Sequence, residues 1–159
     1  MPEIRERLDN VKLLVVGAFD NNKEEYIKLI QKESISDCVK IIDEYIPDNE
    51  VEKYFMVSDL VVLPYESATQ SGIVQIAYGF EKPVIVTRVG GLPDVVIDGK
   101  MGYVVEPKNS KGLAEAVVNF YENEVEQIFV KGVKEEAYRF SWDRMVECIE
   151  RIIWQENKK

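Results

Sequence analysis

Apolar runs alternate along the chain with segments that repeat at helical spacing. Val11 to Val16 (VKLLVV) is an apolar run closed by Gly17, as expected of a buried strand. Residues 22–34 carry Tyr26, Ile27 and Ile30 on one helical face. Val39 to Ile42 gives a second short strand, and Pro47-Asp48 opens a short helix through Val51, Tyr54, Phe55 and Ser58. Leu60 to Leu63 forms a third strand, stopped by Pro64. Residues 69–80 read as a helix that is apolar nearly all round, hence buried. Pro83 to Thr87 is a fourth strand, 89–93 a turn, and Gly102 to Glu106 a fifth strand closed by Pro107. The remainder is helical: one helix from about 110, another over 124–139, and a last one with Trp142, Met145, Val146, Ile149, Ile152 and Ile153 in one stripe. Only Lys158-Lys159 reads as a loose end.

Strands alternating with helices predict an α/β fold. The expectation is a Rossmann-like, doubly wound parallel sheet of about five strands with helices on both faces, spanning 1–159 as a single domain. Ligands of such sheets bind beyond the carboxyl ends of the strands, so the loops after residues 17, 43, 64 and 87 are the places to search.

Composition narrows the chemistry. The chain has 159 residues, 20 Lys and Arg against 29 Asp and Glu, and a net charge of −9. An acidic balance argues against a general nucleic-acid or anionic-membrane binder. There is no histidine, which removes Ser-His-Asp and Cys-His nucleophile systems and histidine metal sites. Acid–base work falls to carboxylates, Lys, Tyr, Cys or the substrate itself. Cys38 and Cys148 lack CxxC spacing and fit packed, reduced thiols. No run approaches a membrane span, and the opening MPEIRERLDN lacks the apolar stretch of a secretory leader, so the expected location is cytoplasmic.

Four loops could carry chemistry. Pro64-Tyr65-Glu66-Ser67-Ala68-Thr69-Gln70-Ser71-Gly72 joins a buried strand to a helix, and Ser67 with Gln70 has capping-box spacing. Small and hydroxyl residues there leave N–H groups free at a helix N-terminus, which suits phosphate; the alternative is an ordinary cap. Gln75 shares a helical face with Ser71 and either meets a ligand or is a satisfied structural amide. Gly90 and Gly91 permit close backbone approach or a tight turn, and Arg88 at the same strand end either reaches a phosphate or is a surface charge. Gly17 to Asn22 is neither GxGxxG nor a Walker loop, so classical dinucleotide and P-loop sites are disfavoured. Asp43-Glu44 is a candidate metal pair but reads better as a solvated loop.

In order and spacing these segments resemble a known family. Residues 59–118 look like the nucleotide-sugar-binding domain of retaining glycosyltransferases of family 4, the glycosyl transferases group 1. The resemblance rests on Asp59-x4-Pro64, Pro83-Val84, Gly90-Gly91-x-Pro93-Asp94, Asp98-Gly99-x-x-Gly102, Leu113-Ala114-x-Ala116 and Phe140-Ser141-Trp142, and extends over about 11–153. It implies one half of a two-domain type B fold that binds a nucleotide diphosphate sugar and transfers a hexose with retention. It places Thr69, Gln70, Ser71 and Gly72 near the diphosphate and sugar, Gly90 and Gly91 beside the cleft, and Tyr45 and Ile46 near the base. No metal and no separate cofactor are implied; the donor is a substrate.

The chain also departs from the family. A Glu-x7-Glu pair usual to this loop and helix falls on Ala68 and Ile76, or on Ala77 in the other register, and neither holds a Glu. Gln75 is one or two positions off, and Glu66 is the remaining weak catalytic candidate. The resemblance further implies that an acceptor-binding domain and the first strand-and-helix unit are absent. Sugar transfer by the chain alone is therefore expected to be very slow or nil. The last helix would pack at home or on a second copy, and a sheet edge could also self-associate. The competing reading is a non-catalytic nucleotide-sugar-binding or interaction module. A phosphoacceptor receiver domain is disfavoured because Leu63-Pro64-Tyr65 stands where its Asp belongs, and an epimerase because it usually needs histidine.

Overall fold

The computed structural model of the chain describes residues 1–19 and 23–156. Asp20, Asn21 and Asn22 of the first loop, and Lys158-Lys159, lie outside the described residues. In chain order the elements are α1 (Pro2–Arg5), β1 (Leu13–Val16), α2 (Lys23–Lys32), β2 (Val39–Ile42), α3 (Asp48–Val57), β3 (Val61–Leu63) and α4 (Gly72–Gly79). There follow β4 (Val84–Thr87), α5 (Leu92–Val95), β5 (Gly102–Val105), α6 (Ser110–Glu122), α7 (Glu126–Ala137), a 3-10 turn (Tyr138–Phe140) and α8 (Trp142–Glu156).

All five strands pair in parallel, but they form two sheets rather than one. Among the described residues β1 pairs with β2 alone, and the second sheet has the order β3-β4-β5. The registers are Leu13 opposite Val39, Val61 opposite Val84, and Val84 opposite Gly102. β4 is central in its sheet, and all four of its residues are buried. This is why its run, Val-Ile-Val-Thr, is apolar without alternation.

The three-stranded sheet carries a core on each face. On one face Leu63, Val84 and Val86 pack with Val74, Ala77 and Tyr78 of α4 and Val133 of α7. On the other, Ile85 packs with Ala114, Val117 and Val118 of α6 and with Ile4 of α1. Phe120 and Phe129 are almost wholly buried, and each contributes about 2–3 kcal/mol of transfer free energy relative to exposure. The β1–β2–α2 unit is different. No residue of α2 is buried, and its Tyr26 and Leu29 remain about half exposed. Exposed ion pairs tie the N-terminal segment to its surroundings: Arg7 to Glu115 and Glu122 of α6, and Arg5 to Asp37.

Three expectations change in the structure. First, the helix expected over 69–80 starts at Gly72, because the carbonyl of Thr69 is taken by the amide of Gly91. Second, that helix is buried on one face only; Ile73 and Ile76 are 38% and 39% exposed. Third, the stripe on α8 does not pack at home. Trp142 is 78% exposed, and Met145, Val146, Ile149, Ile152 and Ile153 also stand open. The turn at 89–93 runs directly into α5, and the one-turn α1 carries no periodic signal in the sequence.

Candidate functional site

Parallel pairing brings the loops after β3, β4 and β5 to one end of their sheet. The β3 loop (64–71) and the β4 loop (88–91) are bound to each other there. Thr87, the one buried polar residue among those described, donates its Oγ1 hydrogen to the carbonyl of Tyr65 at 2.6 Å. The amide of Gly91 donates to the carbonyl of Thr69 at 2.8 Å. Gly90 has φ +49°, and a Cβ there would stand 1.8 Å from the carbonyl oxygen of Ala68. Only glycine combines that φ with so close a backbone neighbour.

This bracing delivers Ser71 to the N-cap of α4. Its backbone is extended, at φ −138° and ψ 118°, and its hydroxyl caps no amide of the helix. The Ser71 hydroxyl instead lies 3.4 Å from that of Tyr65. The Ser67–Gln70 capping box does not form, because the helix begins later than that spacing assumed. Gly72 and Ile73 thus bring amides to the start of α4 with no side-chain cap, at the positive end of the helix dipole. Nothing lies within 4 Å of a Cβ built on Gly72, so this side of the loop is open. Thr69, Gln70 and Gly72 are exposed and Ser71 is half-buried.

The remaining expected residues separate into three groups. Arg88 begins the β4 loop, but its guanidinium is paired with Glu106 at 2.8 Å. Glu66 is paired with Lys108 at 3.2 Å, and both side chains are 71% exposed. Gln75 sits exposed on α4, one turn beyond Ser71. Tyr45 and Ile46 follow β2 in the other sheet; Tyr45 is 77% exposed, and neither is bonded to the 64–72 loop.

Sequence reasoning missed two participants, Lys108 and Thr87, and read a third, Asp43, as part of a solvated loop. Lys108 follows β5 directly, so its place just beyond Pro107 at a strand's carboxyl end was the available signal. Thr87 was read only as the last residue of a strand. Asp43 accepts the amide of Phe19 at 2.8 Å and pairs with Lys23 at 2.7 Å. The Lys23 hydrogen bond, then the Phe19 amide, hold the Asp43 carboxyl below the ordinary aspartate range. Asp43 therefore holds Phe19, just beyond β1, and Lys23, at the start of α2. Among the described residues no group of three or more carboxylate or thiol side chains could hold a metal ion.

Parallel strands, helices on both faces of the larger sheet and a braced loop at the strand ends define a Rossmann-like α/β domain of the type B glycosyltransferase architecture. UDP-bound Anabaena Alr3699/HepE has this fold, with a TM-score of 0.81 at 18% identity over 96% of this chain and 43% of that one. The sequence model described as glycosyl transferases group 1 matches residues 1–123, and the chain belongs to that family. It is 30% identical over 105 residues to the uncharacterized glycosyltransferase MJ1178 of Methanocaldococcus jannaschii, covering 65% of this chain and 30% of that protein. It is 29% identical over 131 residues to the D-inositol 3-phosphate glycosyltransferase of Corynebacterium diphtheriae, covering 81% and 30%. The chain thus spans about a third of the length of the curated relatives it matches. No helix among the described residues is long and apolar enough to cross a membrane.

Proposed function

We propose that this chain is the donor-binding part of a retaining hexosyltransferase and receives the diphosphate of a nucleotide sugar at the 69–72 loop. The observation that carries the reading is the bracing of that loop by Gly90, Gly91 and Thr87, which aims the uncapped start of α4 outward. Anions are stabilised at such an N-terminus by N–H donors and the helix dipole. HepE, a protein of the same fold, was solved with UDP, and this supports a uridine nucleotide as the first ligand to try.

The chemistry in this reading is loss of a nucleoside diphosphate through an oxocarbenium-like transition state. The amides of the 69–72 loop hold the leaving diphosphate, and preorganised donors of this kind are the main source of such stabilisation. Arg88 and Lys108 add positive charge, released from Glu106 and Glu66 as the anion arrives. Those two ion pairs are exposed and worth about 0–1 kcal/mol each, so exchanging partner costs little. Gln75 meets the sugar side, Glu66 is the weak candidate for a catalytic carboxylate, and Tyr45 and Ile46 approach the base. No cofactor enters, the location is cytoplasmic, and an acceptor-binding domain supplies the other wall of the cleft. Without it the chain transfers no sugar at an enzymatic rate, because orientation and exclusion of water are lost. Ala68 and Ile76, where the family has carboxylates, favour a second reading: binding of nucleotide sugar without transfer.

Calorimetric titration with UDP, GDP and ADP tests the proposal. Saturable binding of one nucleotide, weakened at least about tenfold by Gly72→Val, supports it, since that side chain meets open space in the fold but fills the loop mouth. Absence of binding at millimolar nucleotide, or binding indifferent to Gly72→Val, contradicts it.

A further inference from the structure

Tyr65 follows Pro64 in the loop after β3, and its phenol reaches the start of α4. The residue is fixed at both ends. Its carbonyl accepts the Thr87 hydroxyl at 2.6 Å, and its ring packs against the core cluster that contains Leu63, Val74 and Ala77. A packed ring on a bonded backbone leaves the hydroxyl little freedom, so the phenol is a preorganised group.

The phenol oxygen lies 3.4 Å from Oγ of Ser71. Hydrogen bonds between hydroxyls are ordinarily about 2.5–3.0 Å long, so these two groups face each other without closing a good bond. Among the described residues neither hydroxyl has a nearer partner, and Ser71 caps no amide of its helix. Each carries one O–H hydrogen to give. Both residues are half-buried, so the pair sits at the rim of the core. A third oxygen about 2.7–2.8 Å from each hydroxyl completes a triangle with them, and both then donate to it. The loop's one carboxylate, Glu66, is engaged by Lys108 and does not fill that place. The acceptor comes from outside the chain. An anionic oxygen suits it best, since it offers lone pairs only and strengthens both bonds.

We infer that Tyr65 is a donor-binding residue whose phenol, together with the Ser71 hydroxyl, clamps one phosphate oxygen of the nucleotide diphosphate. The inference rests on the donor site proposed above and adds a side chain to it. The two hydroxyls are 3.4 Å apart because both are aimed at a common acceptor and not at each other. Thr87 has a part in this as well. By holding the Tyr65 carbonyl it sets where the phenol ends, and so joins β4 to the clamp. Donors fixed in advance in this way stabilise charge on a departing diphosphate without reorganising as it leaves.

A double-mutant cycle read by UDP titration, with carbon-13 NMR of the Tyr65 ring, tests this. Tyr65→Phe keeps the ring packing and the carbonyl bond to Thr87, so its melting temperature is expected to stay close to that of the unaltered chain. Tyr65→Phe and Ser71→Ala are each expected to weaken UDP binding at least about fivefold. The double variant is expected to lose the product of the two, about 25-fold or more, because each hydroxyl donates on its own account. In the unaltered chain UDP is expected to shift the Cζ resonance of Tyr65, identified by its loss in Tyr65→Phe. If that variant does not fold, this shift decides alone. UDP binding that is indifferent to Tyr65→Phe, or a double variant no weaker than Ser71→Ala, overturns the clamp and leaves the donor site standing. Inorganic pyrophosphate separates the other case. If UDP, GDP and ADP do not bind but pyrophosphate shifts the Tyr65 resonance, the donor reading is rejected and the clamp stands. A Tyr65 resonance unmoved by pyrophosphate and by all three nucleotides overturns both.

Discussion

Thr87 Oγ1 donates to the carbonyl of Tyr65 at 2.6 Å, joining the end of β4 to the start of the loop after β3. The Thr87 side is shielded from solvent, since that residue is only 3% exposed. Thr87→Val keeps the shape and removes the donor. The expected outcome is a loss of about 1–3 kcal/mol in chemical denaturation, from an acceptor left unpaired. Weaker nucleotide binding should accompany it, because the loop loses its anchor. Unchanged stability would show that the bond does not hold the loop.

Gly90 acts on the same loop sterically. Gly90→Ala places a methyl group 1.8 Å from the Ala68 carbonyl oxygen at a φ of +49°, so the backbone of one loop must move. A cost of about 1–3 kcal/mol is expected from such strain. Gly72→Ala, with nothing within 4 Å, should leave the melting temperature nearly unchanged. Comparing the two thermal scans checks both expectations.

The carboxyl of Asp43 is held below its ordinary range, first by Lys23 and then by the Phe19 amide. A depressed folded value means that Asp43 contributes stability above the unfolded aspartate value of about 3.9. That contribution is lost as pH falls through the lower folded value. Lys23→Met should raise the Asp43 titration midpoint, read by carboxyl carbon shifts in NMR. An unchanged midpoint would mean that Lys23 is not the partner in solution.

The open stripe on α8 is expected to make the isolated chain self-associate. Trp142, Ile152 and Ile153 are 78%, 59% and 52% exposed, a concentration of apolar surface that monomers rarely leave uncovered. Ile149→Glu, near its middle, should shift sedimentation toward monomer without changing the far-UV spectrum. Identical sedimentation for both proteins would move the association elsewhere, to a sheet edge for example.

The alternation of strands and helices was legible because each core element buries a face with its own period. The four residues of β4 gave an unbroken apolar run, and Ala114, Val117 and Val118 gave α6 its stripe. Three things were not legible. The split into two sheets was one, since β1 and β3 are both apolar runs and no residue within either says that they do not pair. The half-exposure of α4 has the same character: Ile73 and Ile76 have the side chains of buried positions, but no described element covers them. The α4 start was misplaced by three residues because a long-range bond, Gly91 to Thr69, overrides the local capping signal of Ser67 and Gln70. Within the candidate site, the sequence pointed to the two loops that meet. It did not show that Arg88 and Glu66 are each engaged by a neighbour from the β5 side.

Residue-resolved amide shifts on addition of UDP report whether the 69–72 loop and the Gly90-Gly91 turn together receive the donor diphosphate. Saturable shifts are expected at Thr69, Gln70, Ser71, Gly72, Ile73, Gly90 and Gly91, with smaller ones at Arg88 and Lys108. Saturable shifts confined to other segments, or none at millimolar UDP, GDP and ADP, would contradict the proposed donor site.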